Sequence, residues 1–424
     1  MQLRNGFAAV LIAGFIVFAG CSSKEETKPS AINGSPVQQD NRTGQTPDNY
    51  QYVAEIDVVK AGLNMSGYNR DLLISPAGDK AVFSGFVPAA VKNSYMGVLL
   101  LADIKTGRVE TIVDGTEYVE ALAWTPDGKK VLYQCTQGLF LLDIGSREKS
   151  KISGVLTYGA ISPDARKIAY TEPGKGLFMV PLDNVSEKEV IRLTNAKEDW
   201  YPVWYPDGSI FYFADLGKDL GDAGQQQGPA RISAAGGRSE LLLPQEKGKF
   251  RRAEWIIPGE ALLVDAGWDD GFYKRIYDLK NKKVIDLGEN MDMRQYSTAV
   301  DAKNGYVLKA GQGNVELYNA WGEIVNSYPF DDKIKADFDY VFSPDGKKVA
   351  YLYGEYGYDS KDKAAGREVV VAGADGKNTR ILTQGPADYN TPVWTPDGKA
   401  VVFVETAPDP REENVFILRI VSVK

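Results

Sequence analysis

The chain has 424 residues, with 49 basic against 57 acidic side chains, a formal net charge of −8 and no histidine. Without imidazole it can hold neither a Ser-His-Asp or Cys-His nucleophile system nor a histidine-ligated metal site. The acidic balance argues against a nucleic-acid-binding surface, and two cysteines are too few for a cysteine-rich zinc site or a disulfide framework.

Residues 1–20 are predicted to be a lipoprotein signal peptide. Arg4 is the only charge, and the apolar run Phe7–Ala19 is shorter than the about 20 residues that span a membrane. The run ends in Phe18-Ala19-Gly20-Cys21, which resembles a bacterial lipobox. The resemblance implies cleavage before Cys21, acylation of that cysteine, and a place on the extracytoplasmic side of the cell membrane or envelope. The alternative is an uncleaved anchor helix with an incidental cysteine.

Residues 21–49 are predicted to be the acylated Cys21 followed by a disordered tether. The segment is rich in Ser, Thr, Asn, Gln, Lys, Glu and Pro and has almost no apolar residue. Such a composition cannot offset the entropy of ordering the chain. As a flexible coil it would reach about 30 Å from the membrane surface.

A short sequence motif, referred to below as the repeated phrase, recurs through residues 50–424. It consists of an apolar run, Ser or Thr, Pro-Asp-Gly-Lys, and a second apolar run. The clearest copies lie at 123–129, 341–347 and 393–399. Ser or Thr, Pro, Asp and Gly suit the four positions of a type I turn. The flanking runs are rich in Val, Ile, Tyr, Phe and Trp, so the phrase predicts a β-hairpin.

Two further strand-like runs follow each hairpin, so one unit has four strands. The units are anchored near residues 76, 126, 163, 206, 258, 302, 344 and 396, which lie 37 to 52 residues apart. Four-stranded units at this period are typical of β-propeller blades. The sequence therefore predicts an all-β propeller over residues 50–424, with eight blades favoured and seven left open in case one degenerate unit is an insertion.

Closure of the ring is also predictable. The last unit runs out of chain after three strands, while Tyr52–Val59, before the first unit, forms one unassigned strand. We expect this N-terminal strand to complete the last blade and so remove an exposed sheet edge.

The repeat resembles that of TolB-type, WD-like propellers. The resemblance rests on two copies of a pattern of Leu-Thr, Asp, Pro-Val-Trp and Pro-Asp-Gly, at 382–398 and 193–208. It implies the propeller fold over the whole of residues 50–424 and leaves the function open, because one fold hosts many roles. Similar repeats in prolyl-oligopeptidase-like enzymes accompany a hydrolase domain with a Gly-x-Ser-x-Gly elbow and a histidine, and this chain has neither.

Three sets of residues are interpreted as structural. The repeat aspartates are interpreted as turn formers rather than a ligand array: Asp127, Asp164, Asp207, Asp345 and Asp397. The residues two before each turn proline are expected to pack between blades: Trp124, Ile161, Trp204, Phe342 and Trp394. Cys135 is expected to be a buried thiol.

One face of the propeller is predicted to carry function. Four long polar connections (86–96, 215–228, 354–366 and 407–413) fall between the second and third strands of their units, on the face where the chain enters each innermost strand. Loops of this kind concentrate function, and exposed aromatic residues with arginine are typical of protein-binding hot spots. The candidate partner-binding residues are Arg70, Tyr118, Trp200, Tyr201, Arg252, Tyr296, Phe338 and Tyr389.

Two functions remain open at this point. The first is a lipid-anchored, non-enzymatic scaffold that binds a protein or envelope component, with no catalytic residue, cofactor, metal or nucleic-acid partner. The alternative is a histidine-free enzyme, or a receptor for a carbohydrate or peptide, at the mouth of the propeller channel. Carboxylates with Tyr or Arg would then carry lyase or glycosidase chemistry.

Overall fold

The computed structural model describes twelve stretches of the chain: residues 52–63, 67–89, 94–221, 224–268, 271–288, 296–311, 313–329, 335–355, 367–383, 388–389, 391–406 and 416–423. The predicted signal peptide, Cys21 and the tether lie outside these stretches. Within them the chain is all-β with short 3₁₀ turns, such as η1 (Glu187–Glu189). No helix in these stretches is long and apolar enough to cross a bilayer.

The strands form eight antiparallel four-stranded blades, as predicted. Blade 1 consists of β2 (Gly67–Ile74), β3 (Lys80–Pro88), β4 (Tyr95–Asp103) and β5 (Val109–Thr116), and blade 2 of β6 (Val119–Trp124), β7 (Lys130–Cys135), β8 (Gly138–Asp143) and β9 (Lys149–Ser153). Blade 3 consists of β10 (Gly159–Ile161), β11 (Lys167–Glu172), β12 (Gly176–Pro181) and β13 (Ile191–Arg192). Blade 4 consists of β14 (Trp200–Trp204), β15 (Ile210–Asp219), β16 (Gln225–Ile232) and β17 (Glu240–Leu241).

The next three blades repeat this order. Blade 5 consists of β18 (Phe250–Ile257), β19 (Ala261–Trp268), β20 (Gly271–Asp278) and β21 (Lys283–Asp286). Blade 6 consists of β22 (Tyr296–Asp301), β23 (Tyr306–Gly311), β24 (Asn314–Asn319) and β25 (Ile324–Pro329). Blade 7 consists of β26 (Lys335–Phe342), β27 (Lys348–Glu355), β28 (Arg367–Gly373) and β29 (Arg380–Ile381).

Blade 8 closes the ring in the predicted way. Its innermost strand is divided into β30 (Asp388–Tyr389) and β31 (Val393–Trp394), which both pair with β32 (Ala400–Thr406), and β33 (Phe416–Ser422) follows. The fourth strand is the N-terminal β1 (Tyr52–Asp57), which pairs with β33 from Tyr52 opposite Val421 to Asp57 opposite Ile417. Arg419 of β33 forms ion pairs with Glu55 of β1 and Glu405 of β32.

The repeated turns have the predicted cause. In blade 2, Gly128 N–H donates to the carbonyl of Thr125 over 2.8 Å, and Gly128 has φ of 69°. The carboxylate of Asp127 accepts from Thr125 Oγ1 over 2.6 Å and from Lys129 N–H over 3.1 Å. The equivalent aspartates of blades 3, 4, 7 and 8 accept similar bonds from their own turns. Their interpretation as turn formers is confirmed.

The tryptophans before the turns form hydrogen bonds to the preceding blade as well as packing between blades. The indole N–H of Trp124 donates to the carbonyl of Leu73 over 3.2 Å, and that of Trp394 donates to the carbonyl of Val341 over 3.2 Å. In each case the acceptor lies in the preceding blade. The hydrophobic clusters also lie between neighbouring blades, and Cys135 is buried in one of them as expected.

Two predicted loops are in part regular strands, which corrects the sequence interpretation. Strands β3 and β4 stay paired out to Pro88 opposite Tyr95, and β15 and β16 out to Asp219 opposite Gln225. At the β15–β16 hairpin, polar residues such as Asp215, Lys218 and Gln225 hid the strand continuation. The connections at 356–366 and 407–415 lie outside the described stretches.

Candidate functional site

The two ends of the ring differ. We call the end with the Pro-Asp-Gly turns the turn face, and the end where the chain enters each innermost strand the loop face. In blade 2 the connection entering β6 and the β7–β8 connection meet, because Thr116 Oγ1 lies 2.7 Å from Thr136 Oγ1 and Thr136 N–H donates to the carbonyl of Tyr118. The prediction that these two kinds of connection share one face is confirmed for this blade.

One position recurs near the loop end of the innermost strands, and we call it the ring position. It lies five residues before the turn proline or its equivalent. In blade 5 it lies one residue earlier. There the pairing of β18 with β19 shifts between Trp255 and Ile257, and Trp255, three residues before the turn proline, makes the interblade hydrogen bond that the tryptophan two residues before the proline makes in other blades. The innermost strands of successive blades contact one another around the ring. From blade 1 to blade 8 the ring position holds Asp71, Ala121, Tyr158, Tyr201, Arg252, Ser297, Asp339 and Thr391.

In several blades this position joins one blade to the next by hydrogen bonds. Asp71 Oδ2 accepts from the backbone N–H of Ala121 over 2.6 Å. Ser297 Oγ accepts from Tyr340 N–H over 3.1 Å, and Thr391 Oγ1 donates to Asp339 Oδ2 over 3.1 Å. Short polar side chains at this position therefore serve blade-to-blade docking.

Blades 3 to 5 replace these short side chains by large ones. The ring centroids of Tyr158 and Tyr201 lie 5.6 Å apart. Tyr201 has φ of 51°, in the left-handed region that a bulky residue rarely adopts. It lies where the pairing of β14 with β15 shifts between Trp200 and Val203, and such bulges redirect side chains.

Trp200 adds a third ring. Its indole stands edge-on to Tyr158, with centroids 5.5 Å apart and planes at 89°. Its Nε1–H donates to the carbonyl of Arg251 in blade 5 over 3.0 Å, which fixes the ring. All three rings are partly exposed. We call Tyr158, Trp200 and Tyr201 the aromatic platform.

An acidic group lies on the blade 2 side of the platform. Glu120 Oε2 accepts from the Tyr118 hydroxyl over 2.6 Å and from Gln134 Nε2 over 2.6 Å. Burial and then the charge of Glu120 raise the pKa of Tyr118 above its usual range. The pKa of Tyr158 is also raised, first by burial and then by Glu120. Gln134 is buried, and its Oε1 has no hydrogen-bond partner within the described stretches.

A row of charges lies on the blade 5 side. Arg252, Asp265 and Lys274 stand directly opposite one another on β18, β19 and β20. Asp265 accepts from Arg252 Nε over 2.7 Å and from Lys274 Nζ over 2.9 Å. Burial raises the pKa of Asp265, but the two cations outweigh it and leave the pKa below its usual value. Beside this row, burial raises the pKa of Glu254.

Only the Nε edge of the Arg252 guanidinium is hydrogen-bonded to another described residue. Its side chain is 55% exposed. Its Nε is bound to Asp265, whereas its two terminal nitrogens make no hydrogen bond with any residue in the described part of the chain. The charge of Asp265 is the first cause of the raised pKa of Arg252, so this guanidinium stays positively charged.

The structure brings together four of the predicted face residues: Tyr118, Trp200, Tyr201 and Arg252. For Arg70, Tyr296 and Phe338 only the backbone is described, on β2, β22 and β26. Tyr389 is 3% exposed and packs edge-on against Phe403 in an interblade cluster, so we leave it out of the candidate site. Sequence reasoning missed Tyr158, Glu120, Gln134, Asp265 and Lys274. Alignment of the repeats on the tryptophans, with the ring position compared blade by blade, would have found Tyr158.

Other chemistry finds less support in the described stretches. They contain no group of three or more Cys, Asp or Glu side chains placed to hold a metal ion. The carboxylate of Asp215 accepts hydrogen bonds from the backbone N–H groups of Lys197 and Gly217. Asp71 is a partly buried carboxyl whose pKa is raised to about 7, chiefly by desolvation. Both of its oxygens are occupied, one by Ser84 and the other by Ala121.

No family model matches the chain, and no curated protein matches it. Among solved structures, the C-terminal WD40 domain of Sif2 is 12% identical, with a TM-score of 0.52 over 90% of this chain and 100% of that chain. An oligogalacturonate lyase from Vibrio parahaemolyticus is 13% identical, with a TM-score of 0.46 over 85% of this chain and 91% of that chain. A putative TolB from Agrobacterium tumefaciens is 17% identical, with a TM-score of 0.38 over 75% of this chain and 96% of that chain. At these identities the likeness concerns the fold alone.

Proposed function

We propose that this chain is a lipid-anchored, extracytoplasmic binding protein that holds a protein or envelope component at the channel mouth on its loop face. One observation carries the proposal. The ring position bears short side chains that bond to the next blade in blades 1, 6 and 7, but it bears Tyr158, Tyr201 and Arg252 in blades 3 to 5. Large, partly exposed side chains are not needed for blade docking, so we assign them to a ligand.

The chemistry of this cluster suits binding. Tyr, Trp and Arg are the residues that contribute most to binding energy in protein interfaces. Trp200 is held by its bond to Arg251, and Arg252 by its bond to Asp265, so little side-chain freedom is lost when a ligand binds. The platform and Arg252 are thus preorganised for a partner.

The site gives less support to catalysis. A general acid or base needs an oxygen or nitrogen that can reach the substrate. Asp71 has the raised pKa that such a group would need, but Ser84 and Ala121 occupy both of its oxygens, which favours a structural role. The small-ligand receptor considered above would use the same channel mouth, and the experiments below include small ligands.

The location belongs to the proposal as well. The pattern Phe18-Ala19-Gly20-Cys21 supports export and acylation of Cys21, and the polar segment after it supports a flexible link to the membrane. A propeller on such a link would present its loop face to other envelope components.

Site-specific photocrosslinking in the native envelope tests the proposal. A photoreactive amino acid replaces Gln137, an exposed residue of the β7–β8 connection on the loop face, and in a control it replaces Lys129, an exposed residue on the turn face. We expect ultraviolet-dependent adducts from position 137 but not from position 129, and we expect Trp200→Ala to reduce them. Equal adducts from both faces, no adduct from position 137, or adducts that persist in Trp200→Ala would contradict the proposal.

A further inference from the structure

We propose that the channel mouth binds a ligand with a single carboxylate beside a flat apolar face, the carboxylate on the terminal nitrogens of Arg252 and the flat face on the aromatic platform. The inference rests on the proposed function and specifies the ligand chemistry of that same site.

The first step is the geometry of Arg252. Its guanidinium is planar, and the terminal nitrogens offer N–H groups in a fixed fork that matches the two oxygens of a carboxylate. Asp265 holds the Nε edge over 2.7 Å, and the terminal groups have no hydrogen bond to the described residues. A side chain that is 55% exposed and fixed at one edge can bind a ligand with its other edge.

The second step is the charge. Arg252 and Lys274 carry two positive charges and Asp265 carries one negative charge, so the row has a net charge of +1. Glu254 lies two residues after Arg252 on β18 and therefore on the same face of the sheet, where its carboxyl opposes a second negative charge on a ligand. Glu120 lies on the other side of the platform and repels a second negative charge. One excess positive charge between carboxyl groups favours a monoanion over a doubly charged phosphate.

The third step is the platform. The one polar atom of the Trp200 indole is already bound to the carbonyl of Arg251, so its ring offers only apolar surface to a ligand. Tyr158 lies perpendicular to Trp200, and Tyr201 is tilted by 48° from Tyr158, so the rings are not coplanar and a ligand can contact one ring face and the edge of another. Arg252 directly follows Arg251, whose carbonyl accepts the bond from Trp200, so the cation belongs to the strand segment against which the platform is held. A ring or apolar side chain next to a carboxylate would meet both groups at once.

Two sources supply this chemistry, a peptide chain end with an apolar last residue and an acidic sugar. Each can be tested with a pair of probes that differ in the carboxylate. N-acetyltryptophan and its amide represent the chain end, and N-acetylmuramic acid and N-acetylglucosamine represent the sugar. Binding to the full chain in detergent would be measured by calorimetry or by ligand-observed NMR.

For at least one pair, we expect the acid to bind about tenfold or more tightly than its neutral counterpart, which is the size of a charge-assisted hydrogen bond. Arg252→Gln should abolish this preference, and Arg252→Lys should retain only part of it because the fork is lost. Trp200→Ala should weaken both members of the pair and leave their ratio unchanged. Arg231→Gln is the control, since Arg231 pairs with Asp207 on the turn face.

Equal binding of acid and neutral probe, a preference that survives in Arg252→Gln, or no binding of any of the four probes would overturn the inference. The melting temperature of each variant shows whether a loss comes from unfolding. If crosslinking from position 137 succeeds while no probe shows a carboxylate preference, only this inference fails. If crosslinking also fails, the proposed function fails with it.

Discussion

The indole N–H of Trp255 donates a hydrogen bond to the backbone carbonyl of Trp204 in the preceding blade, over 2.8 Å. Trp204 in turn donates to the carbonyl of Ala160 over 2.8 Å, so two successive blade boundaries are joined by the same type of bond. A propeller blade contacts mainly its two neighbours, and directional bonds across the boundary fix how one blade docks on the next.

Trp255→Phe should lower the free energy of unfolding by about 1–3 kcal/mol, because the carbonyl of Trp204 loses a partner and the smaller ring leaves a gap. Urea denaturation measures the change. Trp321→Phe is the matched control, since Trp321 is also partly buried but its indole makes no hydrogen bond among the described residues. A similar loss in both variants would show that the bond adds nothing beyond ring volume.

Closure of the ring gives a second prediction, on strand β1. Ile56 is 3% exposed and packs between blades 8 and 1, whereas Val53 on the same strand is 60% exposed. Ile56→Ala should lower the free energy of unfolding by about 2–5 kcal/mol, as expected for a buried aliphatic residue. Val53→Ala should change it by less than about 0.5 kcal/mol. If denaturation curves show little effect of Ile56→Ala, then β1 is not a stable part of blade 8.

Asp71 gives a pH prediction. Its pKa is about 7 in the folded protein, against an ordinary value of 3.8, so between about pH 4 and 7 the folded state holds a proton that the unfolded state has lost. The Asp71 contribution to stability therefore falls as the pH rises through this window and is constant above it. The total change is at most about 4 kcal/mol.

Asp71→Ser isolates this contribution, because serine already occupies the ring position in blade 6. Between pH 4.5 and 7.5, the native protein should lose more unfolding free energy than Asp71→Ser, as measured by urea denaturation at each pH. Parallel pH dependence in the two proteins would mean that the carboxyl of Asp71 titrates below this range.

The predicted signal peptide and its lipobox give a fourth prediction. Cys21→Ser should abolish incorporation of labelled palmitate and release the protein from the membrane fraction. Cys135→Ser is the control, since Cys135 is buried in an interblade cluster and should not be acylated. Label that persists in Cys21→Ser would contradict the lipobox interpretation.

The fold could be predicted because its signal is local. The turn at Thr125, Asp127 and Gly128 forms from bonds within five residues, and its repetition marks the blades. The closing strand could be found because a four-stranded unit lacked one strand. The extension of β3 to Pro88 was missed, because Gly85 and Pro88 are typical of loops and the segment between the two strands was interpreted as one long connection.

The site was less predictable because its contacts connect different blades. Arg252 and Trp200 could be proposed from residue type and loop position alone. The row from Arg252 through Asp265 to Lys274 depends on strand register, and the contact of Tyr158 with Tyr201 depends on how neighbouring blades dock. Tyr389 shows the same limit, since its burial follows from packing against Phe403 and not from its own segment.

The pairing of β1 with β33 has a mechanical consequence. If Cys21 is held in a membrane, any tension on the chain reaches the propeller through Tyr52, the first residue of β1. That load falls on the backbone bonds between β1 and β33 and on the ion pair of Glu55 with Arg419 before it reaches any other blade. The force tolerance of the anchored protein is then set by this one strand pair, and its detachment would remove the outermost strand of blade 8 and with it the pairing of the N-terminal strand with the C-terminal one.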